Sequence, residues 1–377
     1  MPSEAAAAVL VLPGLYDSGP AHWQSLWQAQ ATTLLVERVV QRDWAAPRCA
    51  DWVARLTQVM QESAHDVVLV AHSSACAMVA HWAREAPLAL LMRVRGALLV
   101  APSDPLSAVY PSGPTGFAPV PLHALPFPST VVASHNDEYV TGAQATQYAT
   151  AWGSRLWDLG DAGHINADAG YGRWPEGWRA VEAMAAAPQA RVARYADVPA
   201  LTALIEASVR RLAAPYYTDA QIASSLAYVF GVDSSLIHDR SYFVLEQHGI
   251  IVAAGGWSNH ETLFGGDQFH RRDEGRLDPA TSPARIRAFY VHPDHARRGH
   301  ATRLLGICSA AAERAGFSRL SLMSTLPGEP LYRALGFVPD AGVDYPMPDG
   351  TTLPLIPMTK VIAWGSATAK SNSRNTE

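Results

Sequence analysis

"VVLVAHSSACAMVAHW" occupies residues 67–82, at a change of hydrophobic period in the first half of the chain. Five residues suited to a buried strand, Val67 to Ala71, lead into His72-Ser73-Ser74, after which the spacing becomes that of a helix. A strand that turns into a helix through a serine has the outline of a nucleophile elbow, Gly-x-Ser-x-Gly. Here Ala71 and Ala75 stand at the two glycine positions. Small residues are needed there because strand and helix pass close together and the serine backbone is strained; alanine adds one methyl group. The plainer alternative is that Ser73 or Ser74 merely caps the helix.

Working outward, the runs AVLVLP, LVERVV, VVLVA, GALLVAP, STVVAS and SRLWDL are short and apolar or β-branched. Segments of helical spacing lie between most of them, at 22–32, 48–63, 74–86 and 141–152. This alternation, from residue 8 to about 185, predicts an α/β fold with a parallel sheet and helices on both faces. Ligands of such sheets sit at the carboxyl ends of the strands. The Pro-rich segment 102–128 has little periodicity and reads as a loop or cap over that rim.

The stretch AMAAAPQAR, residues 183–191, reads as a short stiff joint. Beyond it come helices at 197–212 and 219–230, and strands at 241–246, 250–257 and 285–291. A helix at 302–315, the strand RLSLMS and a short helix at 330–335 follow. The expected domains are 1–188 and 189–363. The polar, aperiodic tail 364–377 is expected to be disordered. No internal repeat relates the halves.

A length of 377 residues suits two ordinary domains, and 49% hydrophobic with 17% charged residues suits a globular chain. The net charge of −5 gives no electrostatic case for nucleic acid or an anionic membrane as partner. Cys49, Cys76 and Cys308 are far apart and odd in number, which favours neither a disulfide framework nor a metal site. The start, Met-Pro-Ser-Glu, has no basic leader, and the apolar run 5–12 is too short to span a membrane. A reduced, cytoplasmic enzyme is expected.

Three predicted strand ends carry reactive residues: Ser73 after VVLVA, Asp137 in SHNDEYV, and His164 in LGDAGHINADAG. Their order is that of the α/β-hydrolases. Serine is a poor nucleophile until a neutral imidazole takes its proton and a carboxylate fixes the imidazole's tautomer. The N–H of Ser74 would supply one oxyanion donor, and the loop PGLYDSGPAHW the other, through Leu15 or Tyr16. Asp104, in APSDP, is a rival acid. His72 and His135 read as packing or pocket groups, and Cys76 as a buried small hydrophobe.

Residues 8–185 resemble the small retinoblastoma-binding serine-hydrolase family, a branch of the α/β-hydrolases. The motifs that carry the resemblance are LPG with AHWQSLW, LVAHSSAC, SHNDEYV and GHINADAG. The resemblance implies that the nucleophile, acid and base are Ser73, Asp137 and His164, and that small esters or amides are hydrolysed.

In the second half, RIRAFYVHPDHARRGHATRLLGICSAAAERAG (285–316) reads as a strand, a basic Gly-containing loop and an amphipathic helix. Apolar residues at 304, 305, 307, 308, 311, 312 and 315 trace one helical face. Free N–H groups and the positive end of the helix suit a diphosphate, with charge from Arg297, Arg298 and Arg303. Gly299 lets the backbone approach closely. The stretch resembles the cofactor motif of the GNAT-type N-acetyltransferases, with Ala296 as a departure at its first position, and PLYRALGF (330–337) resembles their closing motif. The resemblance implies an α+β domain that binds acetyl-CoA between the strand ending Phe289-Tyr290-Val291 and the strand 318–324. Its pyrophosphate would rest on Arg297, Arg298, Gly299, His300, Ala301 and Thr302. Tyr332 matches the family tyrosine that protonates the departing thiolate, and the acceptor is an amine. GGWSNHETLFGGDQFHRRDEG (255–275) is the expected acceptor wall, with His260, Glu261, Asp267 and His270 as titratable groups and no choice among them as base. An alternative reading makes the first half a non-catalytic docking or regulatory module for the transferase.

Overall fold

The computed structural model describes residues 7–362 except 272 and 274; the tail expected at 364–377 lies outside the described residues. Within these limits the chain divides into two compact units, residues 7–191 with 244–252, and 192–243 with 253–362.

The first unit begins with β1 (Ala8–Leu12), α1 (Trp23–Gln30), β2 (Val36–Arg38) and α2 (Cys49–Glu62). It continues with β3 (Val67–His72), α3 (Ser74–Glu85), α4 (Leu88–Met92) and β4 (Val94–Val100). β5 (Ser129–Ala133), α5 (Gly142–Trp152), β6 (Arg155–Asp158) and α6 (Pro175–Ala185) follow. The strands form one sheet in the order β2-β1-β3-β4-β5-β6, every pair parallel. Alternate residues of the central strands enter two separate cores. Leu10, Leu69, Ala97, Leu99 and Val131 pack with residues of α2, α3 and α5. Val9, Val68, Val70, Leu98 and Val132 pack with Trp23 and Trp27 of α1 and Val181 of α6. Burial on both faces is why these strands read as continuous apolar runs rather than alternating ones. β1, β3 and β4 are buried throughout. Each large apolar side chain so covered contributes about 1.5–3 kcal/mol.

The residues expected to be a joint, 183–191, instead hold the end of α6 and most of a strand, β7 (Gln189–Val192). The short Ala/Pro run is ordered because both ends belong to regular elements. Next come α7 (Val198–Leu212), α8 (Asp219–Tyr228), α9 (Ser234–His238), β8 (Tyr242–Gln247) and β9 (Ile250–Ser258). β10 (Ala284–Val291), α10 (His300–Arg314), β11 (Arg319–Thr325) and α11 (Glu329–Ala334) follow. The chain closes with β12 (Val338–Pro339), β13 (Val343–Pro346) and β14 (Thr352–Val361). The second sheet has the order β12-β14-β11-β10-β9-β8-β7, with β13 also on β14. It is mixed: β10 runs parallel to β11 and antiparallel to β9. The predicted apolar face of α10 is buried except for Ala315, which lies past its end.

Two features of these sheets place the sites. β3 ends beside the C-terminal ends of β1 and β4, and β4 beside that of β5, so the loops leaving these parallel strands share one rim. In the second sheet β10 and β11 pair only at Ala284–Leu320 and Arg285–Ser321, although both strands continue well beyond. Their facing edges therefore separate.

Candidate active sites

Ser73 has φ 58° and ψ −128°, a left-handed conformation unusual for a residue with a side chain. The neighbouring packing holds it there. Its N–H donates to the Val100 carbonyl at 2.9 Å, and Ala71 and Ala75 are fully buried on either side. A Cβ on Gly14 would stand 2.7 Å from Ser73 Cβ, so the loop after β1 crosses the elbow at the closest distance that glycine permits. Ser73 occupies the N-cap position of α3, yet its side chain makes no capping hydrogen bond. Its Oγ lies instead 3.0 Å from His164 Nε2.

His164 Nδ1 lies 2.9 and 3.0 Å from the two carboxylate oxygens of Asp137, whose side chain is fully buried. Asp137 Oδ1 also accepts the Tyr139 N–H at 2.9 Å. The structure thus joins Ser73, His164 and Asp137 from three strand ends in one hydrogen-bonded line. The rival acid, Asp104, accepts the N–H of Leu106 at 2.9 Å.

The loop that carries His164 is clamped at several points. Gly163 N–H donates to Asn136 Oδ1 at 2.7 Å, and Trp23 Nε1 donates to the Ile165 carbonyl at 2.8 Å. His72 Nε2 donates to the His164 carbonyl at 2.9 Å, and burial holds that imidazole neutral, well below its usual range. Gln24 bridges the ends of β1 and β3 through the Leu12 and Val70 carbonyls. His135 lies outside this group, paired with Asp158 at the surface. Cys76 is buried against the Ala71 and Val100 carbonyls, and burial pushes its thiol well up, which keeps it protonated.

A cleft of about 440 Å³ opens on Ser73, lined among others by Leu15, Tyr16, His22, Ser74 and Tyr110. The expected oxyanion pair can now be narrowed. The Tyr16 N–H is engaged by the Trp44 carbonyl at 2.8 Å, so of the two loop residues expected as donors Tyr16 is already committed elsewhere. Ser74 is fully buried, and its Oγ accepts from the Tyr110 hydroxyl at 3.0 Å. Sequence reasoning missed Ser103, whose Oγ is 2.7 Å from Ser73 Oγ, along with Tyr110 and His22. The strand-end rule that nominated Asp104 would have found Ser103, which lies one residue before it.

In the second unit, Ala288 has φ 55° and interrupts the β9–β10 register between Arg287 and Tyr290. The Tyr242 hydroxyl holds the Ala288 carbonyl at 3.3 Å, and the Phe289 ring packs on Gly255. β10 therefore kinks where it parts from β11. Beyond it, Arg297 and Gly299 are both left-handed, and Gly299 caps α10. The first N–H groups of this helix lack intrahelical partners, and a Cβ on Gly299 would meet nothing within 4 Å. The cradle at 297–302 is thus open. Arg297, Arg298 and Thr302 are exposed and Ala301 is half-buried. The basic set read from the sequence needs one correction. Arg303 points inward and is buried, since it lies on the helical face that packs against the core. His300 is buried too, and desolvation holds it at about 4, so its imidazole is neutral near pH 7.

Tyr332 is buried between the rings of Phe289 and Phe337, and burial raises its phenol. The groups of the expected acceptor wall separate. His260 pairs with Asp239, Asp267 accepts from Ser234 at the start of α9, and Glu261 and His270 are exposed. The same segment contributes Phe264 and Phe269, which meet Tyr345 with ring centroids 4.8–5.7 Å apart. A buried ion pair, Arg287–Asp233 at 2.6 Å, supports it, with Arg287 also donating to the Gly265 carbonyl. Among the described residues no group of three His, Cys, Asp or Glu is placed to hold a metal, and no helix is long and apolar enough to cross a membrane.

Family models match both parts of the chain: serine hydrolase over residues 9–183, and the acetyltransferase (GNAT) family over residues 206–337. No match was found among curated proteins. Among solved structures, a YdeN-like hydrolase from Pectobacterium atrosepticum is similar at 29% identity over 48% of this chain and 91% of its own, with a TM-score of 0.41. A GCN5-related N-acetyltransferase from Rhodopseudomonas palustris is similar at 20% identity over 46% of this chain and 95% of its own, TM-score 0.36. The acetyltransferase YncA from Salmonella typhimurium, solved with its cofactor acetyl-CoA, is similar at 20% identity over 48% of this chain and 98% of its own, TM-score 0.32.

Proposed function

We propose that this chain, which joins a serine-hydrolase family region to a GNAT family region, is a bifunctional enzyme with hydrolysis assigned to residues 1–188 and acetyl transfer to 189–363. The observation that carries the hydrolase half is the line from Ser73 Oγ through His164 to Asp137, at 3.0 and 2.9 Å, on a serine with a left-handed backbone. His164 takes the Ser73 proton as Oγ attacks the carbonyl carbon of a small ester or amide. Asp137 holds the tautomer and stabilises the imidazolium. The N–H groups of Ser74 and Leu15 receive the oxyanion. His164 then protonates the leaving group, and water releases the acyl group from Ser73 by the reverse path.

The second activity is transfer of an acetyl group to an amine. Acetyl-CoA, when bound, supplies the acetyl thioester. The residues present fit it: an open amide cradle with exposed Arg297 and Arg298, and strand edges that part beyond Arg285. The amides of 297–302 would hold the diphosphate, and Phe289, Tyr290 and Val291 would line the rest of the cofactor. Tyr332 is kept protonated by burial and would give its proton to the thiolate as the C–S bond breaks, the proton lost by the nitrogen that forms the amide restoring the phenol. A reducing, cytoplasmic setting suits three free, buried cysteines.

The decisive test is labelling of the full chain by a fluorophosphonate probe, compared with Ser73→Ala. The expected result is labelling and ester hydrolysis by the parent, with hydrolysis falling by at least about 10³-fold in the variant. A parent that takes no label would make the first region a docking module, the reading that Ala71 and Ala75 invited. For the second region, acetyl-CoA should raise the melting temperature, and thiol release should follow addition of an amine. Binding without turnover would make it a sensor.

A further inference from the structure

We propose that Ser103 is a further catalytic residue of the hydrolase site, the fourth member of its proton line and the second to bear a hydroxyl; the proposal rests on the hydrolase reading above. Ser103 is 3% exposed and its Oγ lies 2.7 Å from Ser73 Oγ. The chain brings it there by a turn. β4 ends at Val100, whose carbonyl holds the Ser73 N–H, and Ala101 follows with φ 48°. That left-handed step, fixed by the Ala101 N–H on the Val132 carbonyl at 2.9 Å, folds the strand end back over the elbow.

Proton counting assigns the donor. Asp137 is an acceptor only, so the proton on His164 sits at Nδ1, between the ring and the carboxylate. His164 Nε2 is then an acceptor, and the Ser73 hydroxyl proton points to it across 3.0 Å. The one proton left for the contact between the two serines belongs to Ser103. The line therefore runs in one direction, Ser103 to Ser73 to His164 to Asp137, each group donating to the next.

This direction has a chemical consequence. Ser73 Oγ carries two lone pairs, and the Ser103 donor occupies one of them. The other is left as the attacking pair, with its orientation set. When Oγ bonds to the carbonyl carbon, its proton passes to His164 Nε2. His164 then gives that proton to the leaving group as the bond to that group breaks. In the second half-reaction water loses a proton to His164 and bonds to the acyl carbon. The bond from that carbon to Ser73 Oγ breaks, and Oγ recovers its proton from His164. Throughout, Ser103 donates to the oxygen whose charge rises and falls. The reverse arrangement, with Ser73 donating to Ser103, would withdraw the nucleophile from its base and make Ser103 a brake.

The test compares the parent with Ser103→Ala and Ser103→Thr in the full chain. It measures the second-order rate of fluorophosphonate labelling and the kcat and KM for a p-nitrophenyl ester, with melting temperature as a check on folding. Ser103→Ala is expected to label about 5- to 10-fold more slowly, the worth of one ordinary hydrogen bond, with KM within about 2-fold because the residue touches the nucleophile rather than the substrate. Ser103→Thr, which keeps the hydroxyl, should recover most of the rate. A Ser103→Ala that labels as fast as the parent, or faster, overturns the proposal and leaves the hydrolase reading standing. A Ser103→Thr as slow as the alanine variant also overturns it, since packing would then be the cause. A parent that takes no label overturns both.

Discussion

The two candidate sites of this chain are built from different parts of the polypeptide. Around Ser73 the reacting groups are side chains, and each is fixed by a partner: Val100, His164, Asp137, Asn136 and Trp23 leave little freedom. At residues 297–302 the proposed binding groups are backbone amides at a helix start, and the nearby charged side chains point into solvent. A side-chain site fails when one atom is removed. A backbone site fails when the chain cannot hold its conformation. The two regions should therefore respond to different perturbations.

Acid gives the largest expected loss of stability. Burial holds His22 at about 4 instead of 6.5, and lowers His72 in the same direction. The unfolded chain binds these protons first, so the stability they confer is complete above pH 6.5 and is lost as pH falls toward 4. His22 alone accounts for roughly 3 kcal/mol of that loss. His300 adds a contribution of the same sign in the second region. Urea melts followed by tryptophan fluorescence, dominated by the first region, should show its transition falling steeply between pH 6.5 and 4.5. A flat profile would show that these imidazoles are not buried as described.

The two glycines sharpen the comparison next. Gly14→Ala would place a methyl group 2.7 Å from Ser73 Cβ and 3.0 Å from the His72 carbonyl. It should destabilise the first region by about 1–3 kcal/mol and slow probe labelling by up to about 10²-fold through displacement of the elbow. Gly299→Ala meets no atom, so its cost is conformational: φ 79° disfavours alanine by roughly 1–2 kcal/mol. The expected result is a KM for acetyl-CoA raised by about 5- to 20-fold, with Ser73 labelling unchanged. Equal effects of both substitutions on both activities would break the distinction between the sites.

The smallest effect is expected at Tyr332. Tyr332→Phe removes a buried hydroxyl while keeping the ring contacts to Phe289 and Phe337. It should lower kcat for acetyl transfer by about 10-fold or less, with acetyl-CoA binding unchanged in a thermal-shift titration. A large fall in stability instead would make this tyrosine a packing residue.

Much of the first region was legible because strand ends and helix starts are local events, and parallel sheets gather such ends on one rim. Ser73, Asp137 and His164 were named on that basis, and the structure brings them within hydrogen-bonding distance. Legibility was poorer where prolines argue against regular structure. β14 contains Pro354 and Pro357 and was not foreseen, yet it pairs with β11 along seven residues. Tyr345 and its aromatic neighbours likewise escaped notice, because their meeting depends on β13 lying against a loop distant in sequence.

Reading the residues alone yields the periodicities, hence the parallel sheet of the first region, and the chemistry offered at each of its strand ends. Which of those groups meet is set by the folded chain. Asp137 rather than Asp104 reaches His164, the Tyr16 amide is taken by the Trp44 carbonyl, and Ser103 closes on Ser73. The physical reason is range. Backbone preference is set by immediate neighbours along the chain, whereas a hydrogen bond between side chains separated by many residues depends on strand register and turn conformation to within a fraction of an ångström.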